Sequence, residues 1–155
     1  MGKAKRVVVP AAVLAISMPL LVHLEGLKTR AYQDVRGIWT ICVGDTAGVS
    51  KGDMATSADC MTRLQDRLPD YYGPLTQCIP TLPTFPAKVQ AAMLSFTYNV
   101  GTKAACTSMM ASAANAGDIR TACTRMMNFQ RAGANPTALR TRREQEVALC
   151  LEGVK

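Results

Sequence analysis

Residues 23–40 read HLEGLKTRAYQDVRGIWT, and this stretch sets Glu25, Asp34 and Thr40 in one short run, with eight residues and then five between them. Cleaving a glycosidic bond needs one carboxyl that carries a proton for the leaving oxygen. It also needs a carboxylate that activates water or stabilises the sugar cation. An acid at the edge of an apolar segment suits the first role, and an acid beside a turn suits the second. The same residues have plainer readings: Glu25 as a helix-terminal charge and Asp34 as a turn former. His23 reads as a boundary residue beside Glu25.

Upstream, Lys3, Lys5 and Arg6 precede an uncharged run from Val7 to Leu24, 18 residues long and at the lower limit for a spanning helix. Pro10, Ser17, Pro19 and His23 weaken it as a span. The basic start predicts an N-terminus held in the cytoplasm, with everything after Leu24 outside. Residues 1–24 are therefore expected to form an anchor segment, with residues 7–24 in the inner membrane, and residues 25–155 a single folded domain. Two rival readings stand beside this one: a cleaved signal peptide with a small-residue site at Ala15-Ile16-Ser17, and a buried core helix in a cytosolic protein.

Downstream, β-branched and aromatic residues cluster from Arg30 to Ser50, with Gly37, Gly44 and Gly48 between them, which predicts a small hairpin. Thr56 or Ser57 can cap a helix towards Leu68, ended by Pro69, Gly73 and Pro74. Val89, Met93, Phe96 and Val100 recur at helical spacing between Pro86 and Gly101 and predict a central buried helix. A further helix is expected from Asp118 to about Phe129, and a last one from Pro136 to Leu151 closed by Gly153. Met126 and Met127 read as core filler. The expected architecture is α+β, a small N-terminal sheet followed by a mainly helical lobe.

The chain has 155 residues, 48% hydrophobic and 19% charged, enough for one core and too apolar for disorder. Its formal charge of +7 favours a polyanionic partner. Nucleic acid is not expected: the one dense cluster, Arg140, Arg142 and Arg143, has no interleaved aromatics and reads as a solvated helix face. Cys42, Cys60, Cys78, Cys106, Cys123 and Cys150 are scattered, with no C-x-x-C pair. An even set of this kind points to disulfides in an oxidising compartment and away from a metal site. The 15 possible pairings stay open on this ground, and no cofactor is expected.

The pattern of Glu25, Asp34 and Thr40 resembles the phage lysozyme family, glycoside hydrolase family 24, whose active site carries Glu, eight residues, Asp, five residues, Thr. The resemblance extends through GIWTICVGDT from Gly37, SFTYNVG from Ser95 to Gly101 and RREQEVALC from Arg142 to Cys150. It implies a lysozyme-like fold, Glu25 as general acid, Asp34 as base or stabilising carboxylate, and Thr40 as a hydroxyl that positions water, with inversion at the anomeric carbon. It also implies the pairs Cys78–Cys106 and Cys123–Cys150, leaving Cys42 with Cys60. Two residues depart from the family pattern: Asp45, where His or Asn is frequent, adds negative charge near the presumed cleft, and Phe129 stands where Trp is common.

The resemblance further implies a monomeric endolysin. It would be held in the inner membrane by an uncleaved signal-anchor, released to the periplasm, and act on peptidoglycan between N-acetylmuramic acid and N-acetylglucosamine. The absence of cysteine in residues 1–24 disfavours control by a thiol from the anchor and favours refolding on release. Lytic transglycosylation, which needs no water-activating carboxylate, and a non-catalytic, membrane-anchored wall-binding module are the competing functions.

Overall fold

A computed structural model describes residues 5–155. Lys3 of the basic start lies outside the described residues. Among those described, the chain forms two compact units: Met18–Leu68, and the chain up to Ser17 together with Pro69–Lys155. Helix α1 (Ala11–Glu25) belongs to both, because it runs through Ser17 and Met18 without a break.

α1 begins directly after Pro10, whose carbonyl accepts from the Leu14 amide at 3.0 Å, so the helix is shorter than the uncharged run. No helix among the described residues is long and apolar enough to cross a membrane. Val13, Ser17 and Leu21, four residues apart, are its buried side chains. Ser17 is unusual among them, since its hydroxyl has no hydrogen-bond partner.

In the Met18–Leu68 unit, β1 (Lys28–Gln33) and β2 (Trp39–Cys42) form the expected hairpin, with Tyr32 paired to Thr40 and Gln33 to Trp39. The pairing is irregular between Lys28 and Tyr32. Helix α2 (Ser57–Arg67) takes Thr56, of the two candidate caps, and a capping box forms: the Thr56 hydroxyl accepts from the Asp59 amide and the Asp59 carboxylate accepts from the Thr56 amide, both at 3.0 Å. Ile41, Cys42 and Cys60 form the small core, flanked by Leu27, Ala31, Val49 and Ala55. The Cys42–Cys60 disulfide ties β2 to α2.

The larger unit is helical: α3 (Pro69–Cys78), α4 (Ala87–Val100), α5 (Thr102–Cys106), α6 (Met109–Asn115), α7 (Ile119–Arg125) and α8 (Arg140–Val154). Every residue of α4 from Val89 to Thr97 is buried, which makes it the central helix. Its ends fall at Pro86 and Gly101, as the sequence predicts. Polar groups in this core are paired: the Tyr72 hydroxyl donates to Gln90 Oε1 at 2.7 Å, and Gln90 Nε2 donates to the Phe85 carbonyl at 2.7 Å. Disulfides Cys78–Cys106 and Cys123–Cys150 close the unit, each contributing on the order of 3 kcal/mol by restricting the unfolded chain.

Three sequence expectations need correction. Pro69, Gly73 and Pro74 end α2 but do not leave a loop. Pro69 opens α3 at the first helical position, where the missing donor costs nothing, and Pro74 lies inside that helix. The last helix starts at Arg140 instead of Pro136, and Gly153 is inside it. A Cβ at Gly153 would lie 2.9 Å from Val89 Cγ2 and 3.1 Å from the Val89 amide nitrogen, so this glycine lets α8 press against α4 instead of capping the helix. Finally, Arg142 and Arg143 are not a solvated face. Both are buried around Glu146, whose carboxylate accepts from Arg142 Nε at 3.1 Å, Arg143 Nη1 at 2.5 Å and Ser95 Oγ at 2.8 Å. Arg143 Nε also donates to the Phe129 carbonyl at 2.9 Å, and the Phe129 ring meets Phe96 edge-on at 5.0 Å.

Candidate active site

Glu25, Asp34 and Thr40 all lie in the Met18–Leu68 unit. Glu25 is the last residue of α1, and Gly26, at φ 75°, turns the chain out of the helix into the hairpin. His23, two residues back, is exposed. Asp34 follows β1 and organises the tip: its amide donates to the Ile38 carbonyl and the Gly37 amide donates to the Asp34 carbonyl, both at 2.9 Å. Its Oδ1 accepts from the Arg36 amide at 2.8 Å and the Ile38 amide at 2.9 Å. The Ile38 amide, first, and then the Arg36 amide and guanidinium hold the Asp34 carboxyl below the usual carboxylate range. Asp34 is therefore ionised at neutral pH, and its second oxygen is 3.6 Å from Arg36 Nη2.

Thr40 is 3% exposed, in β2, and its hydroxyl donates to the Ile38 carbonyl at 2.9 Å. With its proton so committed, the oxygen has only lone pairs to offer, and any further partner must be a donor, as water is.

Strand geometry relates these groups. Tyr32 pairs directly across from Thr40, and paired residues share a face of the sheet; Asp34 lies just beyond the end of β1, two residues after Tyr32. Tyr32 was not among the residues the sequence singled out, yet its alternation with Asp34 was the available signal. Burial, first, and then the negative charges of Glu25 and Asp34 push the Tyr32 hydroxyl above its ordinary value.

The loop after β2 completes the surroundings of Glu25. A Cβ added at Gly44 would lie 3.4 Å from Glu25 Oε2 and 3.8 Å from its Cδ, and Gly44 itself has φ 69°, so this position has two reasons to be glycine. Asp45 does not leave a bare charge beside the acid, as its place in the sequence suggested. Its carboxylate is 2.5 Å from Arg63 Nε and 3.2 Å from Arg67 Nε, and it accepts from the Ala47 amide at 3.1 Å. Burial is the largest single influence on Asp45 and raises its pKa. The amide and the two guanidiniums together outweigh burial and hold the carboxyl below its ordinary value. Among the described residues, no group of three or more His, Cys, Asp or Glu side chains is placed to hold a metal ion.

A phage lysozyme family model matches residues 22–146. The chain is 34% identical over 132 residues to the SAR-endolysin of bacteriophage PS119, covering 84% of this chain and 78% of that protein. It is 34% identical over 149 residues to the SAR-endolysin of Pseudomonas phage phiKMV, covering 91% and 89% respectively. Among solved structures, that of a mutant P22 lysozyme superposes with a TM-score of 0.80 at 26% identity, over 94% of this chain and 99% of that one.

Proposed function

Because the chain belongs to the phage lysozyme family, we propose that it is an endolysin muramidase that hydrolyses the β-1,4 bond between N-acetylmuramic acid and N-acetylglucosamine, with Glu25 as general acid, Asp34 as the base or stabilising carboxylate, and Thr40 positioning the attacking water. Family membership makes the chain a glycoside hydrolase of the lysozyme type, with peptidoglycan as substrate. The finer assignment rests on one observation: Glu25 ends the helix that leads into the hairpin, Asp34 forms its tip, and Thr40 lies in its second strand directly across from Tyr32. In this reading Glu25 transfers its proton to the glycosidic oxygen as the bond to the anomeric carbon breaks. Water, donating one hydrogen to the Thr40 oxygen, attacks that carbon and loses a proton to Asp34.

Glu25→Gln keeps the shape of the acid and removes its proton, so release of reducing ends from purified wall should fall at least about 10²-fold. Circular dichroism and disulfide content should be unchanged. Near-normal turnover by a folded Glu25→Gln protein would refute the assignment. Anhydro sugar ends in the products of the unaltered chain would point instead to lytic transglycosylation, and wall binding without cleavage to a binding module.

The relatives' description as SAR-endolysins, the basic start and the uncharged run support an anchor in residues 1–24 that holds the chain in the inner membrane, N-terminus in the cytoplasm, before release to the periplasm. The described fold then corresponds to the released form, because Val13, Ser17 and Leu21 are buried in it instead of facing lipid. Glu25 directly follows Leu24, the last residue of the nominal span, so a chain still inserted would have its acid pinned at the bilayer surface. Replacing Pro10, Ser17 and Pro19 together with Leu should leave a membrane-bound, lytically silent protein. A mature N-terminus near Met18 in the unaltered protein would identify a cleaved signal peptide instead.

A further inference from the structure

The loop that follows β2 passes beside the Glu25 carboxylate at Gly44, where an added Cβ would lie 3.4 Å from Oε2, and the residue after that glycine helps to hold it in place. The Ile41 amide donates to the Asp45 carbonyl at 2.8 Å and the Asp45 amide donates back to the Ile41 carbonyl at 3.0 Å, which closes a tight turn over Cys42, Val43 and Gly44. Cys42 and Gly44 both have left-handed backbone, φ 61° and 69°. For Cys42, which has a side chain, that conformation persists only where the surroundings impose it. Two restraints do so. The disulfide to Cys60 fixes the start of the turn to α2, and the Asp45 carboxylate fixes its end to Arg63 and Arg67, one turn apart on the same helix. Arg63 also donates to the Ala47 carbonyl at 2.6 Å, extending the tie along the loop.

We propose that Asp45 is a positioning residue for the acid: acting through Gly44, it holds the turn against the Glu25 carboxylate and so fixes the direction in which that carboxyl presents its proton. The proposal rests on Glu25 being the acid. The Asp45 carboxylate is engaged by the Ala47 amide and by the Arg63 and Arg67 guanidiniums. Removing it frees the turn to move away from Glu25, and a misplacement of about 1 Å in a catalytic group can cost on the order of 10²-fold in rate. Because substrate contacts elsewhere are untouched, the loss falls on kcat and not on KM.

The test is steady-state cleavage of soluble peptidoglycan fragments by the full chain carrying Asp45→Ala, beside Asp118→Ala as a control for stability alone. Asp118 caps α7 through the Thr121 amide at 3.1 Å in the other unit, and has no part in the site. The expected result is that Asp45→Ala lowers kcat roughly 10- to 100-fold with KM within about threefold, while Asp118→Ala changes neither. A second readout is the carbon-13 titration of the Glu25 side-chain carboxyl, whose chemical shift should move in Asp45→Ala and not in Asp118→Ala. If Asp45→Ala does not fold, Arg63→Gln with Arg67→Gln releases the same tie from side chains that are about one-third exposed, and the same kcat loss is expected. The proposal is overturned if Glu25→Gln is inactive yet the folded Asp45 variant, or the double arginine variant, keeps kcat within about twofold. It is equally overturned if Asp118→Ala lowers kcat as much. A Glu25→Gln protein that retains turnover is a different failure, that of the acid assignment itself.

Discussion

Replacing Glu146 with Ala tests the buried cluster on α8 most severely. The Glu146 carboxylate is wholly buried and receives three donors, from Ser95, Arg142 and Arg143. The two guanidiniums keep other acceptors: Arg142 Nη2 donates to the Ser95 carbonyl at 3.2 Å, and Arg143 donates to the Phe129 carbonyl and to Asn99 Oδ1. None of those acceptors is an anion, so the variant leaves two arginines, 9% and 0% exposed, without this counter-charge. Breaking a buried ion pair from one side costs about 3–5 kcal/mol, because the stranded charge cannot recover its hydration. At about 2–4 °C per kcal/mol for a chain of this size, the melting temperature should fall by roughly 6–20 °C. Scanning calorimetry of the disulfide-intact protein measures this directly. Glu152→Ala supplies the comparison: the Glu152 carboxylate is 2.9 Å from Lys88 Nζ, but both side chains are about half exposed and solvent screens the pair. If Glu146→Ala melts no lower than Glu152→Ala, the argument from burial is wrong.

Two further outcomes are expected. Ser17→Ala removes the buried hydroxyl that has no partner and should raise stability by about 1 kcal/mol or more, seen as a higher urea midpoint; a lower midpoint would mean that the hydroxyl is satisfied in solution. Asp45 has a carboxyl held below its ordinary value in the fold, so its ionisation stabilises the fold above about pH 4, the unfolded carboxylate range, and this contribution is lost as pH falls through the folded value. The gap in melting temperature between the unaltered chain and Asp45→Asn should therefore be present at neutral pH and close in strong acid. A gap that stays constant on acidification would refute the linkage.

What the sequence made legible follows from where each signal is local. The hairpin and α4 were readable because Gly37, Pro86 and Gly101 act on their own neighbours, and a cap at Thr56 or Ser57 was readable because a cap bonds within its own first turn. The spacing of Glu25, Asp34 and Thr40 was readable for the same reason. The burial of Arg142 and Arg143 was not, since charge density on a helix says nothing about a partner such as Ser95, about 50 positions away. Asp45 misled similarly: its neutralisation depends on Arg63 and Arg67, which only the packing of α2 on the loop brings near. Gly153 read as a helix stop because a contact with Val89 leaves the same composition as a cap. α3 was missed because two prolines were counted as breakers without regard to position within the turn.

The Cys42–Cys60 bond bears on timing. Both proposed carboxyl groups, the hydroxyl, the turn over Gly44 and its arginine tie lie between Glu25 and Arg67, and the cross-link spans only 18 positions. Contacts so near in sequence need no long search, since a ten-residue loop closes in about 10–100 ns. Forming the covalent link takes seconds to hours, depending on the oxidant and catalyst present. Completion of this region is therefore paced by thiol oxidation and not by diffusion of the chain, and the oxidising capacity of the surrounding compartment sets the delay before the finished region is covalently locked.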